Sequence, residues 1–490
     1  MSFAFKKRIL SGALTAVLLF LCGCAGENVN PSDNVPNTSF EDAVPDENPQ
    51  NQVSEKKKEK TPFDLIPNED FGGREFIIAT TDEAFTDSAE NSGIIGKALF
   101  SRNRAIEEKF NIKIKTVPVK DSLLQTQLQS SKTRGFDLIY APMDTISVCG
   151  ANGLVMNIYS VPFFGVEKEH TQKDITASLS QNDTTYGVYG NAAYDDRNMW
   201  CVFYNKDILS SLGYEDLYSM VDDGSWTWEK FLEIANEALS DLDGNKRMTK
   251  QKDRYGYSSL MNTSSFANAV FASFGKTFFS RDDEGFFKMD FAESEENEYF
   301  SLLKRICLTD KAKFPGNDPG SSAFEAFSQG RLAFFCEKLS YASALAYIPA
   351  NWGILPMPKM SEEQDKYYTL LDGSTHGYAV PQKISDSNLS GKVLNAIYLY
   401  DHSFGKEENT VKVAFTYYYF RDSESSRMTS ILEKRKVYDA AFAFGAGMPD
   451  FSLASYDLLS SCLENNVSFD KLYTQNEKPF SAFVRREFVN

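Results

Sequence analysis

From about Arg74 onwards the apolar positions switch between two periods. Glu75-Phe-Ile-Ile-Ala79 is a short apolar run that reads as a strand. From about Ile94 to Phe110 the spacing becomes helical, with Ile95, Leu99, Ile106 and Phe110 on one face. Asn111 ends that helix, and Ile112-Lys-Ile-Lys-Thr-Val117 alternates as a strand. Leu123, Leu124 and Leu128 mark a second helix, and Phe136-Asp-Leu-Ile-Tyr140 a buried strand. Strand–helix–strand–helix–strand at this spacing predicts parallel βαβ units. In open sheets of this kind ligands sit beyond the carboxyl ends of the strands, here the loops Thr80-Thr81-Asp82 and Pro142-Met143-Asp144.

A second series begins at Asn198-Met-Trp-Cys-Val-Phe-Tyr-Asn-Lys-Asp207, whose apolar middle is a strand running into a helix. In Ser225-Trp-Thr-Trp-Glu-Lys230, Thr227 is placed as N-cap of a helix containing Phe231, Leu232, Ile234, Ala235 and Leu239. Gly330-Arg-Leu-Ala-Phe-Phe335, Asn351-Trp-Gly-Ile-Leu-Pro-Met-Pro358 and Gly377-Tyr-Ala-Val-Pro381 are strand-like. The final hundred residues read mostly as helices, and no internal repeat is present.

The amino terminus has a different pattern. Lys6, Lys7 and Arg8 precede an apolar run from Ile9 to Leu21. That run is shorter than the roughly 20 residues a spanning helix needs, so it reads as a signal peptide. Leu21-Cys22-Gly23-Cys24 resembles a bacterial lipobox, which implies cleavage after residue 23 and acylation of Cys24. Residues 24–62, rich in Asn, Pro, Glu, Asp and Ser, read as a disordered acylated tether. They hold too little apolar surface to offset the entropy of folding. The run Lys56-Lys57-Lys58-Glu59-Lys60 reads as solvated charge.

Composition narrows the classes. A length of 490 residues suits two or three domains, and 42% hydrophobic residues can build their cores. With 51 basic against 68 acidic residues the net charge is −17, which argues against a general nucleic-acid binder. Only His170, His376 and His402 occur, so His-rich metal chemistry has little material. Beyond Cys22 and Cys24 the cysteines are Cys149, Cys201, Cys307, Cys336 and Cys462, with no CxxC to signal zinc or redox chemistry. Asp241-Leu-Asp-Gly-Asn245 resembles the opening of a calcium loop. Lys246 and Lys252 occupy the sixth and twelfth positions, however, and Asp253 falls one place late, so a tight polar turn is expected, with bound calcium the open alternative. Enzyme signatures are missing: there is no GxSxG, HExxH, GxxxxGK[ST] or GxGxxG after a strand, and nothing singles out a pair of carboxylates. Neither a catalytic residue nor an organic cofactor is implied.

Seven landmarks in order resemble the extracellular solute-binding proteins of ABC importers, in particular the maltose-binding-protein group. They are Phe136–Asp144, Gly153–Ile158, Val202–Ile208, Ser225–Phe231, Gly330–Phe335, Trp352–Pro358 and Gly377–Pro381. The resemblance covers roughly residues 70–450. It implies an α/β, two-lobed periplasmic-binding-protein-like fold of type 2, each lobe a mostly parallel sheet flanked by helices, with a multi-strand hinge. By the family's chain path one lobe holds 70–190 and 335–383, the other 194–333 and 388–490.

The resemblance also implies ligand contacts. Asp144 matches an aspartate that bonds sugar hydroxyls, Asp82 another polar contact, and Asn198 a polar hinge residue facing the cleft. Trp200, Phe266 and Tyr341 are candidate stacking rings. Glu337-Lys338-Leu339-Ser340-Tyr341 departs from the asparagine-glycine-x-tryptophan segment expected there. His376 is a further candidate contact. Other readings stay open: Asp144 as a helix N-cap, His376 on a surface loop, and Asp195-Asp196-Arg197 as cleft lining or a solvated internal salt bridge. Trp226 and Trp228 read as packing residues, and Tyr417-Tyr418-Tyr419-Phe420 as a helix face. The implied function is capture of a carbohydrate, an oligosaccharide above all, by a monomer lipid-anchored on the extracytoplasmic face of the cell membrane, with delivery to an ABC permease and no nucleic-acid partner. The alternatives are another polar solute or a peptide in the same fold, a surface polysaccharide hydrolase, or an adhesive or sensory lipoprotein.

Overall fold

The computed structural model describes residues 60–85, 93–130, 135–290, 296–318, 321–404, 415–465 and 467–488. The expected signal peptide, Cys24 and the expected tether up to residue 59 lie outside them. The described body begins with a staple. Phe63 is buried with its ring 5.2 Å from that of Tyr400, and its amide donates to Ser403 Oγ at 3.0 Å.

Its strands run in chain order as β1 (Arg74–Thr80), β2 (Ile112–Pro118), β3 (Leu138–Pro142), β4 (Trp200–Asn205), β5 (Tyr255–Ser258), β6 (Phe279–Arg281), β7 (Phe287–Met289), β8 (Leu332–Lys338), β9 (Trp352–Pro356), β10 (Thr369–Leu371), β11 (His376–Ala379) and β12 (Lys436–Tyr438). The first sheet has the order β11-β3-β1-β2. Helices α1 (Gly93–Phe110) and α2 (Asp121–Gln129) make its connections, and α3 (Met143–Ala151) follows β3. The two-residue period sorts its side chains. Phe76, Ile78, Leu138 and Tyr140 pack with Leu99 and Ile106 of α1 and with Leu394 and Ile397 of the helix Ser387–Phe404. Ala79, Ile139 and Ala141 join Leu124 of α2 and Ile146 of α3 on the opposite face.

The second sheet has the order β5-β8-β4-β9. Trp226, Trp228, Phe231 and Phe334 fill its core, with the Phe231 and Phe334 rings 4.7 Å apart. Burying each such ring contributes about 1.5–3 kcal/mol. Thr227 caps the helix Trp228–Ala238 by accepting from the Lys230 amide, as its sequence predicts.

The expectation of mostly parallel strands holds by direction in this second sheet, where three of the four strands point the same way. Here β5 and β8 are parallel, but β4 runs antiparallel to both β8 and β9. The reason is the chain path. β4 starts at the crossing from the first lobe, so Trp200 pairs with Lys338, the last residue of β8, and Cys201 with Pro356, the last of β9. The first sheet repeats the arrangement on the return crossing: β11 enters at His376 opposite Pro142, the last residue of β3, and runs against it. In each lobe the strand arriving from the crossing opposes its neighbours.

The expected lobe boundaries change accordingly. β8 and β9 belong to the second sheet, so within 335–383 only the β11 region returns to the first. The helix Ser387–Phe404 packs in the core of the first lobe rather than the second. Apolar runs define strands but not the sheet they join, which depends on long-range pairing.

Among the described residues three segments cross between the lobes: the turn Asp195–Asn198 before β4, the segment from β10 to β11, and β12, which pairs in parallel with β10. An ionic cluster ties them. Lys436 Nζ donates to Asp195 Oδ1 at 2.9 Å, Asp196 Oδ1 at 2.7 Å and Asn191 Oδ1 at 3.0 Å, and the Tyr438 hydroxyl donates to Asp195. Asp195 and Asp196 are buried, so of their two open readings the structure takes the internal salt bridge. Away from the crossings, the helix Ala440–Phe444 packs on α3, and the Gly447 amide donates to Ser147 Oγ at 3.1 Å.

Candidate functional site

The carboxyl ends of β1 and β3, the start of β11 and the return crossing lie together on the first lobe. Asp144 stands in the first turn of α3. Its own amide donates to Gly373 O at 2.9 Å, and that of Met143 to Thr375 O at 2.8 Å, so the start of α3 is docked on the return crossing. The N-cap position is Pro142, which leaves the Asp144 carboxylate free of capping. The side chain is exposed yet closely surrounded by protein. That surrounding, with the neighbouring Asp372 charge, pushes its carboxyl up to about 7, against the pull of Lys338.

A second cluster forms at the end of β1. Asp82 Oδ2 accepts from Arg197 Nη2 at 2.7 Å, and the same guanidinium donates to the Tyr140 hydroxyl at 3.3 Å. Arg197 thus fastens the outward crossing to the first lobe. His376 Nε2 lies 3.2 Å from Thr81 Oγ1, and its ring centroid 5.1 Å from that of Tyr140. Burial lowers the imidazole to about 4, against the Asp82 charge, so His376 is neutral near pH 7 and offers one donor and one acceptor. Asn198 follows Arg197 on the crossing turn and is half-buried.

A third cluster joins the second lobe to the return crossing. Lys338, at the end of β8, donates from Nζ to Asp372 Oδ1 at 3.0 Å and to the Ser374 hydroxyl, and Trp200 Nε1 donates to Asp372 Oδ2 at 3.2 Å. Burial raises the Asp372 carboxyl, but Lys338 and Ser374 outweigh it and hold it below the usual range. The adjacent Glu337, fully buried, accepts from Ser259 Oγ at 2.8 Å and the Leu260 amide at 2.7 Å, which fixes the loop after β5.

Two expected stacking rings are corrected. Trp200 has 0% of its surface exposed and Phe266 1%; their rings lie 6.3 Å apart in the core of the second lobe. Neither presents a face to a ligand. An aromatic at a strand start or in an apolar helix looks the same in sequence whether it packs inward or outward. Tyr341 remains half-buried on the turn Leu339–Tyr341 just after β8, its ring 5.8 Å from Phe335.

Asp82 and His376 therefore come together through Arg197, Tyr140 and Thr81, while Asp144 meets Asp372 and Lys338. Sequence reasoning did not single out Lys338, Asp372, Ser374 or Tyr456 for the site. Tyr456 is half-buried and stacked on Phe442 at 5.6 Å; burial and then the Asp144 charge push its hydroxyl up. The strand pattern carries no signal for these four, because each acts through a partner distant in the chain.

The loop at Asp241 forms the polar turn expected of it. Carboxylates of Asp241, Asp243 and Asp253 lie within 4.8 Å of one another. Backbone amides engage them: Gly244 and Lys246 donate to Asp241, Leu242 and Thr249 to Asp253.

Comparison with known proteins sets this architecture in context. Among solved structures, the ABC substrate-binding protein Lmo0181 from Listeria monocytogenes, in complex with cycloalternan, is 15% identical with a TM-score of 0.53, over 84% of this chain and 99% of that one. MalX from Streptococcus pneumoniae, in complex with maltopentaose, is 12% identical with a TM-score of 0.52, over 83% and 100%. The GacH receptor of Streptomyces glaucescens GLA.O, described unliganded and with acarbose, is 12% identical with a TM-score of 0.53, over 84% and 99%. At such identities the likeness shows the two-lobed fold. Among curated proteins none matches the chain significantly. Residues 103–397, more than half of the chain, match the bacterial extracellular solute-binding protein family, and the chain belongs to that family.

Proposed function

We propose that this solute-binding protein captures a carbohydrate, specifically an oligosaccharide, between its lobes and delivers it to the membrane subunits of an ABC importer. The observation that carries this reading is the make-up of the cleft. Asp144 offers an exposed carboxylate with the Tyr456 ring in its field, His376 is neutral beside Thr81, and Asn198 and Tyr341 are half-buried on the outward crossing and on the turn after β8. Carboxylate, amide and imidazole take up hydroxyls, and rings cover the apolar faces of sugars. The neighbours in complex with maltopentaose and cycloalternan support the same ligand class.

Capture needs no covalent step. A ligand touching both lobes favours the closed arrangement by its differential affinity, with the three crossings as hinge. The protein works as a monomer on the extracytoplasmic face of the cell membrane, held there by acylated Cys24. The cleft residues of both lobes act together, and the tether gives the body reach from the membrane.

A thermal-melt screen of residues 59–490, which form one compact unit, tests the ligand class. A ligand at a hundred times its dissociation constant adds about 2.7 kcal/mol to stability. Oligosaccharides should raise the melting temperature, and Asp144→Asn should weaken the rise. A rise with peptides alone would overturn the sugar reading. Mass spectrometry of the tryptic amino terminus, with Cys24→Ser releasing the protein from membranes, tests the anchor.

A further inference from the structure

The charges around the cleft are not evenly matched. Arg197 is committed to Asp82 at 2.7 Å. Lys338 is committed to Asp372 and to the Ser374 hydroxyl, and it is buried. His376 carries no charge near neutral pH. Asp144 stands apart: its carboxylate is exposed, and no donor among the described residues bonds to it. Three charged groups act on it. Two are carboxylates, Asp372 and Asp121, and the third is Lys338, already bound to the first of them. Asp121 is itself exposed and, among the described residues, accepts only a neutral hydroxyl, from Thr145.

A ligand group settling beside Asp144 meets this imbalance directly. A carboxylate, sulfate or phosphate there would face two uncompensated negative charges, with the one cation that acts on Asp144, Lys338, already held by an acidic partner. A hydroxyl would supply one neutral donor. An ammonium would supply a charge-assisted donor, the stronger kind, and relieve the repulsion among the acids. Field lines are focused in a cleft with protein walls, so the preference acts before contact as well as at it.

We propose that the cleft selects its glycan by charge, taking amine-bearing sugars in preference to neutral ones and excluding those that carry a carboxylate, sulfate or phosphate. This selection rests on the reading of the cleft as a sugar site. It makes Asp144 the residue that sets specificity, with Asp121 in support. Arg197 and Lys338 hold the crossings in place and do not recruit anions.

The test is a thermal-melt and calorimetric comparison, at pH 8 and low ionic strength, of α-1,4- and β-1,4-linked trisaccharides in three forms: hydroxyl, amine and carboxylate. On at least one backbone the amine form should bind tenfold or more tighter than the hydroxyl form, and the carboxylate form should give no shift. Asp144→Asn should bring the amine and hydroxyl forms within about twofold of each other. Asp121→Asn should narrow the gap by less. Carboxylate binding as tight as that of the parent sugar would overturn the charge selection while leaving the sugar site intact. So would an amine preference that survives Asp144→Asn. No shift with any form would overturn the sugar reading, and the selection with it.

Discussion

Gly373 lies so close against Asp144 that a methyl group on its α-carbon would stand 2.0 Å from Oδ1. The return crossing and the cleft carboxylate are therefore in direct van der Waals contact, and the Asp144 amide donates to the Gly373 carbonyl at 2.9 Å. Gly373 is not among the residues of positive φ, so its role is space rather than backbone freedom. Gly373→Ala should displace the Asp144 side chain and leave the fold standing. Calorimetry should show ligand affinity falling about tenfold, with a change in melting temperature within about 2 °C. Unchanged affinity would mean that Asp144 does not touch the ligand.

The raised carboxyl of Asp144 has a signed consequence for stability. Its ordinary value is 3.8 and its folded value about 7, so the folded chain holds this proton more tightly than the unfolded chain. Between about pH 4 and pH 7 the folded state loses stability from this group as pH rises, and above pH 7 the loss is complete. Asp372, Asp121, Lys338, Tyr189 and Tyr456 are the titratable groups that share its field. Asp144→Asn should therefore raise the melting temperature above pH 7, with the gain vanishing towards pH 4. The carboxylate is exposed, so screening leaves an increment of about 1–3 °C. Melting curves across that range check the sign.

Lys436 neutralises two buried carboxylates at once. Lys436→Met would leave Asp195 and Asp196 without their cation in a site closed to water, at a loss of about 3–5 kcal/mol. Urea unfolding should show a large drop for Lys436→Met. Lys436→Arg keeps the charge and should lose much less. Equal losses would place the contribution in packing rather than in charge.

All four tryptophans, Trp200, Trp226, Trp228 and Trp352, are fully buried. Iodide should therefore quench the fluorescence of the folded chain only weakly and that of the unfolded chain strongly. Any change of tryptophan emission on ligand binding should come through Trp200, whose indole bonds to Asp372 on the return crossing. Trp200→Phe should abolish that change while binding continues. Efficient iodide quenching of the folded chain would contradict the packing of the second lobe.

Much of this architecture is legible in the amino-acid order, and what is missing is missing for a physical reason. Short-range patterns announce β1, α1, β2 and the Thr227 cap, because period and capping are properties of a few neighbouring residues. The position of Asp144 at the end of β3 follows from the same logic. The lobe that receives β8 depends on its pairing with β4 across more than a hundred residues, and no local period records that. Trp200 and Phe266 are inward for the same reason. Lys338, Asp372 and Ser374 form one hydrogen-bonded unit only after β8 and the return crossing have met. Arg197 stood in view within Asp195-Asp196-Arg197, but its partner Asp82 lies in the loop after β1, more than a hundred residues away.

The central claim, that the cleft takes a sugar through Asp144, is tested most directly by calorimetric titration of residues 59–490 and of their Asp144→Asn variant with a panel of neutral and amine-bearing oligosaccharides. The account predicts saturable one-to-one binding of at least one of them, weakened tenfold or more by the substitution while the melting profile stays cooperative. Binding that is indifferent to Asp144, or saturable binding of peptides with none of any sugar, would contradict it.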